Sequence, residues 1–203
     1  KKRKILILGS NGGLGKEIIN RFNKSKFDVF TTNRNFVDVE KNFNKVENFI
    51  NKIKPNLIIN CIAMSTIDEC EEYQVRAFNV NSFFPCEIAR VANKVHSKFI
   101  HFSTEAVFKG DKFKKIYGEF DHPNPTTIYG RTKLYGEILT QTRGVIGEGL
   151  SLKQTMMRLR ARTKVLHATN MEDAIAYVES YGRNLIGLIT DAGFPAMNRK
   201  DMQ

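Results

Sequence analysis

Tyr129 and Lys133 stand four residues apart in the run Tyr129-Gly-Arg-Thr-Lys133, a spacing that puts both on one face of a helix. An ammonium beside a phenol favours the phenolate and draws its pKa down from about 10. A tyrosine so placed can give a proton to a carbonyl oxygen as hydride reaches the carbonyl carbon. The lysine can also hold a ribose of the hydride donor. Alone, the pair equally fits an exposed helix face. A second group, His101-Phe-Ser-Thr-Glu105, follows an apolar run. A hydroxyl at a strand end can bond a substrate carbonyl, or it can cap local backbone. The third is Gly9-Ser-Asn-Gly-Gly-Leu-Gly15. There Gly9 allows a tight turn, Gly12 lets backbone approach a pyrophosphate, and Gly15 permits close helix–strand packing. The helix N-terminus that follows would face the phosphates. No Gly-Lys-Ser/Thr follows, which excludes a Walker-type loop.

Such groups work only if strands and helices bring them to one rim. Ile5–Leu8 is a continuous apolar run, as in a strand buried on both faces. Helical character over Lys16–Phe22 follows the glycine loop, and Phe27–Thr32 reads as the next strand. Phe43–Ile53 has apolar residues at helical spacing and is closed by Pro55; Leu57–Ile62 is again a strand. Val75–Val95 reads as one long helix with Pro85 as an awkward interior residue, Lys98–Phe102 as a strand, and a helix starts near Thr126. The alternation predicts an α/β fold, a doubly wound parallel sheet of Rossmann type with helices on both faces. Ligands in such sheets lie beyond the strand C-termini, where the glycine loop and Ser103-Thr104 fall.

The second strand ends in Thr32-Asn-Arg-Asn35 without an acid. An acid there would bond a ribose 2′-hydroxyl, whereas an arginine favours a 2′-phosphate. Arg34 therefore points to NADP rather than NAD as cofactor, unless it is one more solvated charge.

These motifs, with Asn60-Cys-Ile-Ala63, Ala77-Phe-Asn-Val-Asn81, His101–Gly110 and Pro123–Glu137, resemble the extended short-chain dehydrogenase/reductase family over residues 3–140. The resemblance implies an NAD(P)H-dependent enzyme that reduces a 4-keto group on a nucleotide-linked deoxysugar. It makes Tyr129 the proton donor, Lys133 its partner, and Thr104 the residue bonding the keto oxygen. It sets Gly12, Gly13 and Leu14 at the pyrophosphate, Asp38 and Val39 near the adenine, and Ile62, Ala63 and Met64 along the ribose. The catalytic set is Thr104, Tyr129 and Lys133. The cofactor-binding set is Gly9, Asn11, Gly12, Gly13, Leu14, Gly15, Arg34, Asp38, Val39, Ile62, Ala63, Met64, Ser103, Tyr129 and Lys133. Some family members use magnesium, but no metal-ligand cluster stands out here. The sequence departs from the family at Glu105, usually Asp, at Cys61 and Ile62, usually small, and at Met64, usually aromatic or His.

Composition shifts near residue 140. Fourteen of the 15 Phe and 15 of the 18 Asn precede it, and 5 of the 6 Met follow it. The expected organisation is therefore a dinucleotide-binding domain, 1–140, and a divergent segment, 141–203, in place of a substrate domain. In that segment Lys164–Ala168 and Leu185–Thr190 read as strands and Met171–Tyr181 as a helix. This βαβ-like fragment resembles part of a receiver-type domain, with Asp191 where such domains accept phosphate. A binding module without turnover and a regulatory fusion are the alternative readings.

With 41% hydrophobic and 26% charged residues, the chain reads as globular, and no apolar run reaches the length of a membrane span. A secretory signal is not expected, since the basic opening lacks a long apolar core. The net charge of +11 is concentrated in residues 1–60, which carry 13 Lys/Arg against 5 Asp/Glu. Those lysines lack interleaved stacking aromatics, so a solvated surface is expected rather than a nucleic-acid interface. Three cysteines without metal spacing argue for a reducing compartment, and the cytoplasm is expected. The expected partner is a nucleotide-sugar, with no nucleic acid and no membrane; a homodimer is the self-assembly kept open.

Overall fold

Strand β1 (Arg3–Leu8) is buried along its whole apolar run, and its neighbours form around it. The computed structural model describes residues 2–22, 26–33, 36, 37, 39, 41–110, 117, 121–145 and 188–189. Strands β2 (Phe27–Thr32), β3 (Leu57–Asn60), β4 (Lys98–Ser103) and β5 (Leu188–Ile189) join β1 in the order β2-β1-β3-β4-β5. Every pairing is parallel, and Leu8, Thr32, Asn60 and His101 lie in one row across the sheet. The chain moves outward from β1 to β2, then crosses to β3 on the other flank. That reversal opens a crevice beyond the C-terminal ends of β1 and β3. The expected α/β doubly wound sheet is the observed fold.

The alternation of side chains along β1 builds two cores. Leu6 and Leu8 pack with Ile58, with Val46, Ile50 and Ile53 of helix α2 (Phe43–Ile53), and with Phe84, Ile88 and Val91 of helix α5 (Phe84–Lys94). Ile5 and Ile7 pack on the opposite face with Ile59 and Ile100, against Ile18 and Ile19 of helix α1 (Gly13–Arg21). Each fully buried aliphatic side chain contributes roughly 1.5–3 kcal/mol. Helix α6 (Ile128–Val145) lies beside α5.

The single helix expected over Val75–Val95 runs without a break through α4 (Gln74–Phe78), a π-helical turn (Asn79–Phe83) and α5. Proline has no N–H and its ring clashes inside a helix. The widened turn moves Pro85 to the first turn of α5, where no such bond is needed. The sequence also gave no sign of helix α3 (Ile67–Glu72), and β3 ends at Asn60 rather than Ile62. In the segment after residue 145, Leu188–Ile189 pairs with Phe102–Ser103 inside the expected strand Leu185–Thr190. The other expected tail elements and Asp191 lie outside the described residues. No described helix is long and apolar enough to cross a membrane.

Candidate active site

The glycine loop runs from β1 into α1. Gly9 sits in the left-handed region at φ +81°, which favours glycine, and a Cβ there would lie 3.0 Å from Ile62 Cγ1. The backbone N–H groups of Gly9 and Ser10 both donate to the Thr32 carbonyl, at 3.0 and 2.9 Å, tying the loop to the end of β2. At Gly15 a Cβ would stand 2.3 Å from the Gly9 carbonyl oxygen, so helix and loop touch as backbone. Gly12 caps α1 without a side-chain hydrogen bond, and the first turn holds no acid. The positive end of α1 therefore faces the crevice uncompensated. Gly12 and Gly13 are exposed, and a Cβ on Gly12 would meet nothing closer than 3.5 Å. This cradle fits a pyrophosphate.

At the end of β2, Thr31, Thr32, Asn33, Phe36 and Lys45 line a cavity of about 310 Å³. Lys45 lies over the Phe36 ring, 4.5 Å from its centroid. The buried Thr32 hydroxyl has no partner among the described residues. Of the residues expected here, Arg34 and Asp38 lie outside the described residues. Val39 is half-buried and packs on the core.

The loop after β3 carries Ile62, Ala63 and Met64. One side chain fixes it: Asn81, in the π turn, accepts from the Met64 N–H at 2.9 Å and donates to its carbonyl at 2.9 Å. The same amide donates to Thr132 Oγ1 at 3.0 Å, and Thr132 Oγ1 in turn donates to the Tyr129 carbonyl. The loop 62–64 and the helix of Tyr129 and Lys133 are thus one hydrogen-bonded unit. Tyr129, 8% exposed, packs with Met64, Cys70, Ala77 and Ile128. Glu71 accepts from the Ile128 N–H at 2.8 Å and so satisfies one N–H at the start of α6. Gly130 and Gly136 let that helix approach the Ala106 and Asn81 carbonyls; a Cβ on either would fall 2.2 Å from oxygen.

The two strand-end hydroxyls turn to local partners. Thr104, 1% exposed, donates to Glu105 Oε2 at 3.0 Å and accepts from the Ala106 N–H at 3.2 Å. Its one proton is committed to Glu105 as the structure stands. Ser103 donates to Glu137. Lys133, 2% exposed, donates to the Phe102 carbonyl at 2.5 Å. Burial pushes Lys133 down to about 8, while Glu137 pulls it up. His101 lies beside them. The Asn60 amide meets its Nδ1 at 3.1 Å, which leaves the proton on Nε2, and Nε2 has no partner among the described residues. Burial first, and then Lys133, hold this imidazole well below its usual range, so it is neutral.

Sequence reasoning missed Asn60, Asn81, Thr132, His101 and Glu137 as parts of this site. Glu137 was within reach, because it continues the four-residue spacing of Tyr129 and Lys133 on the same helix face. Burial pushes the Cys61 thiol up to about 12 and Cys70 up to about 11, so neither is a nucleophile at neutral pH. Among the described residues no group of three or more His, Cys, Asp or Glu could hold a metal ion.

Comparison with known proteins gives a consistent set of matches. The family described as RmlD substrate binding domain matches residues 3–171, past the composition shift near 140. The dTDP-4-dehydrorhamnose reductase of Aggregatibacter actinomycetemcomitans is 30% identical over 175 residues, covering 80% of this chain and 59% of that protein. A crystal structure of a dTDP-4-dehydrorhamnose reductase from Clostridium acetobutylicum superposes with a TM-score of 0.73 at 30% identity, over 93% of this chain and 74% of that one. The Bacillus anthracis dTDP-4-dehydrorhamnose reductase, solved in complex with NADP, gives 0.65 at 31% identity, over 69% of this chain and 49% of that one. The chain spans about 60% of the length of the first curated relatives it matches.

Proposed function

The chain belongs to the RmlD substrate binding domain family, and from that premise we propose that it is the NADP(H)-binding part of a reductase acting on a 4-keto nucleotide-sugar of the dTDP-4-dehydrorhamnose type. The observation that carries this reading is the Asn81 clamp, which joins the loop 62–64 to the helix of Tyr129 and Lys133. The glycine cradle touches that same loop at Ile62.

In this reading the N–H groups from Gly12 to Leu14 bind the pyrophosphate. Thr31, Thr32 and Asn33 receive the adenosine, and Lys45 faces its 2′-phosphate. That cation, with no acid at the end of β2, favours NADP over NAD. When bound, the cofactor supplies hydride to the keto carbon. Tyr129 gives its phenolic proton to the developing alkoxide, and Lys133 stabilises the phenolate left behind. Thr104 holds the keto oxygen only after its hydroxyl turns away from Glu105. Residues 1–140 form the dinucleotide-binding domain and 141–203 a divergent segment. The cysteines Cys61, Cys70 and Cys86, none of them in a disulfide, and the metabolite substrates support a cytoplasmic setting.

Tyr129→Phe tests the reading. Loss of NADPH absorbance in the presence of dTDP-4-dehydrorhamnose should slow by about 100- to 10,000-fold, the worth of a positioned proton donor, with NADPH affinity nearly unchanged. An undiminished rate rejects Tyr129 as donor. A second reading, a dinucleotide-binding module without turnover, is favoured by the Thr104 hydroxyl, whose one proton is given to Glu105. NADPH binding with no turnover in the unaltered chain selects it.

A further inference from the structure

Lys133, buried, and Glu137, half-buried, carry opposite charges one helical turn apart on α6, and each is tied to the end of β4. Lys133 Nζ donates to the Phe102 carbonyl at 2.5 Å. The next residue of the strand, Ser103, donates its hydroxyl to Glu137. Nothing in the reading above uses Glu137, and a half-buried carboxylate gives up part of its hydration. A leucine at 137 would fill the same space without a charge. The carboxylate's effect is to accept from Ser103 and to bring a negative charge to this face.

The surrounding groups define that effect. On α6, Tyr129 lies one turn before Lys133 and Glu137 one turn after it. From β4, His101 faces the cluster as a neutral ring, anchored by Asn60 of β3. Glu105, on the 3₁₀ turn (Glu105–Val107) that packs against α6, is exposed and engaged with Thr104. Glu137 is the half-buried carboxylate one turn along the same face, and it is the group that pulls the lysine back towards its charged form. Glu137 depends on the cluster in return. Burial pushes its carboxyl up, and the Ser103 hydroxyl and Lys133 offset only part of that rise.

We propose that Glu137 is a positioning residue for Lys133: pinned by the Ser103 hydroxyl, its carboxylate keeps the lysine ammonium charged and seated on the Phe102 carbonyl beneath the crevice. The role rests on the reading of Lys133 as the partner of Tyr129 and of the cofactor. It makes the strand-end serine and the third member of the Tyr129, Lys133, Glu137 face parts of one device. The strand holds the acid, the acid holds the lysine charged, and the lysine presents a fixed cation one turn from the proton donor.

The test reads Lys133 directly. Protein carrying ¹³Cε-lysine is titrated by NMR, with the Lys133 signal assigned by its loss in Lys133→Arg. Glu137→Gln keeps an acceptor for Ser103 and the side-chain size but removes the charge. It should lower the Lys133 midpoint by about one unit or more, and Glu137→Asp should restore most of the shift. An unmoved midpoint in Glu137→Gln overturns the proposal. A measurement on unaltered protein covers a variant that fails to fold. The ¹³Cδ of Glu137 and the ¹³Cε of Lys133 should each show a step at the other's midpoint, and two independent curves overturn it. NADPH fluorescence titrations run in parallel separate this link from the cofactor reading. A shifted midpoint in protein that does not bind NADPH supports the link and rejects the cofactor. An unshifted midpoint in protein that binds NADPH overturns the link alone.

Discussion

Replacing Gly15 by alanine puts a methyl carbon 2.3 Å from the Gly9 carbonyl oxygen and 3.1 Å from Ser10 Cα. Carbon and carbonyl oxygen ordinarily approach no closer than about 3.3 Å, so helix and loop must separate by roughly 1 Å. Both neighbours are backbone, which cannot swing aside as a side chain can. The loop cannot retreat freely either, because the N–H groups of Gly9 and Ser10 are bonded to Thr32. Overpacking of this kind costs about 1–3 kcal/mol, offset by up to about 1 kcal/mol from the better helix propensity of alanine. The expected net loss is about 1–2 kcal/mol. Two positions earlier, a Cβ on Gly13 meets nothing within 4 Å, so Gly13→Ala should leave stability unchanged or raise it by up to about 1 kcal/mol. Urea denaturation followed by circular dichroism measures both. In Gly15→Ala the displaced cradle should also lose one charge-assisted contact to the pyrophosphate, worth about 1.5–3 kcal/mol. NADPH affinity should then fall about 10- to 100-fold. A Gly15→Ala protein as stable as the original, and binding NADPH as tightly, would refute the close-approach argument.

Two further outcomes follow from the charges. Lys45→Glu should weaken NADPH about tenfold or more, on the scale of a charge-assisted bond, while leaving NADH affinity unchanged; equal loss for both cofactors would remove Lys45 from the 2′-phosphate site. Burial lowers Lys133 from 10.5 to about 8, so between those values the unfolded chain binds the extra proton. Stability should therefore rise as pH climbs through that window, by an amount on the order of 3 kcal/mol at most. Chemical denaturation across that range should show the rise in the original protein and not in Lys133→Met. A fall specific to the original protein would contradict the burial of the ammonium.

The parts of the fold legible in the sequence are those written in local pattern. An unbroken apolar run gave β1, the glycines after it gave the turn into α1, and the alternation of strands and helices gave the parallel sheet. The four-residue spacing of Tyr129 and Lys133 placed them correctly on one helix. What stayed hidden depends on distance in sequence. The π turn that absorbs Pro85 puts Asn81 where it grips Met64 and Thr132, and no local signal at Asn81 announces partners 17 and 51 residues away. Ser103 and Thr104 were read as facing a ligand or capping backbone. Thr104 caps the turn that follows it, and Ser103 reaches Glu137, because β4 runs beneath α6. The motif named the residues without saying which of them point upward into the crevice and which support it from below.

The central claim is that the glycine cradle and Tyr129 open onto one crevice that holds a dinucleotide. A crystal structure of the chain with NADPH bound tests it most directly. The pyrophosphate should lie against the N–H groups of Gly12 to Leu14, the 2′-phosphate beside Lys45, and the nicotinamide between the loop 62–64 and Tyr129. A dinucleotide bound away from residues 9–15, or a nicotinamide on the side opposite Tyr129, would contradict the account.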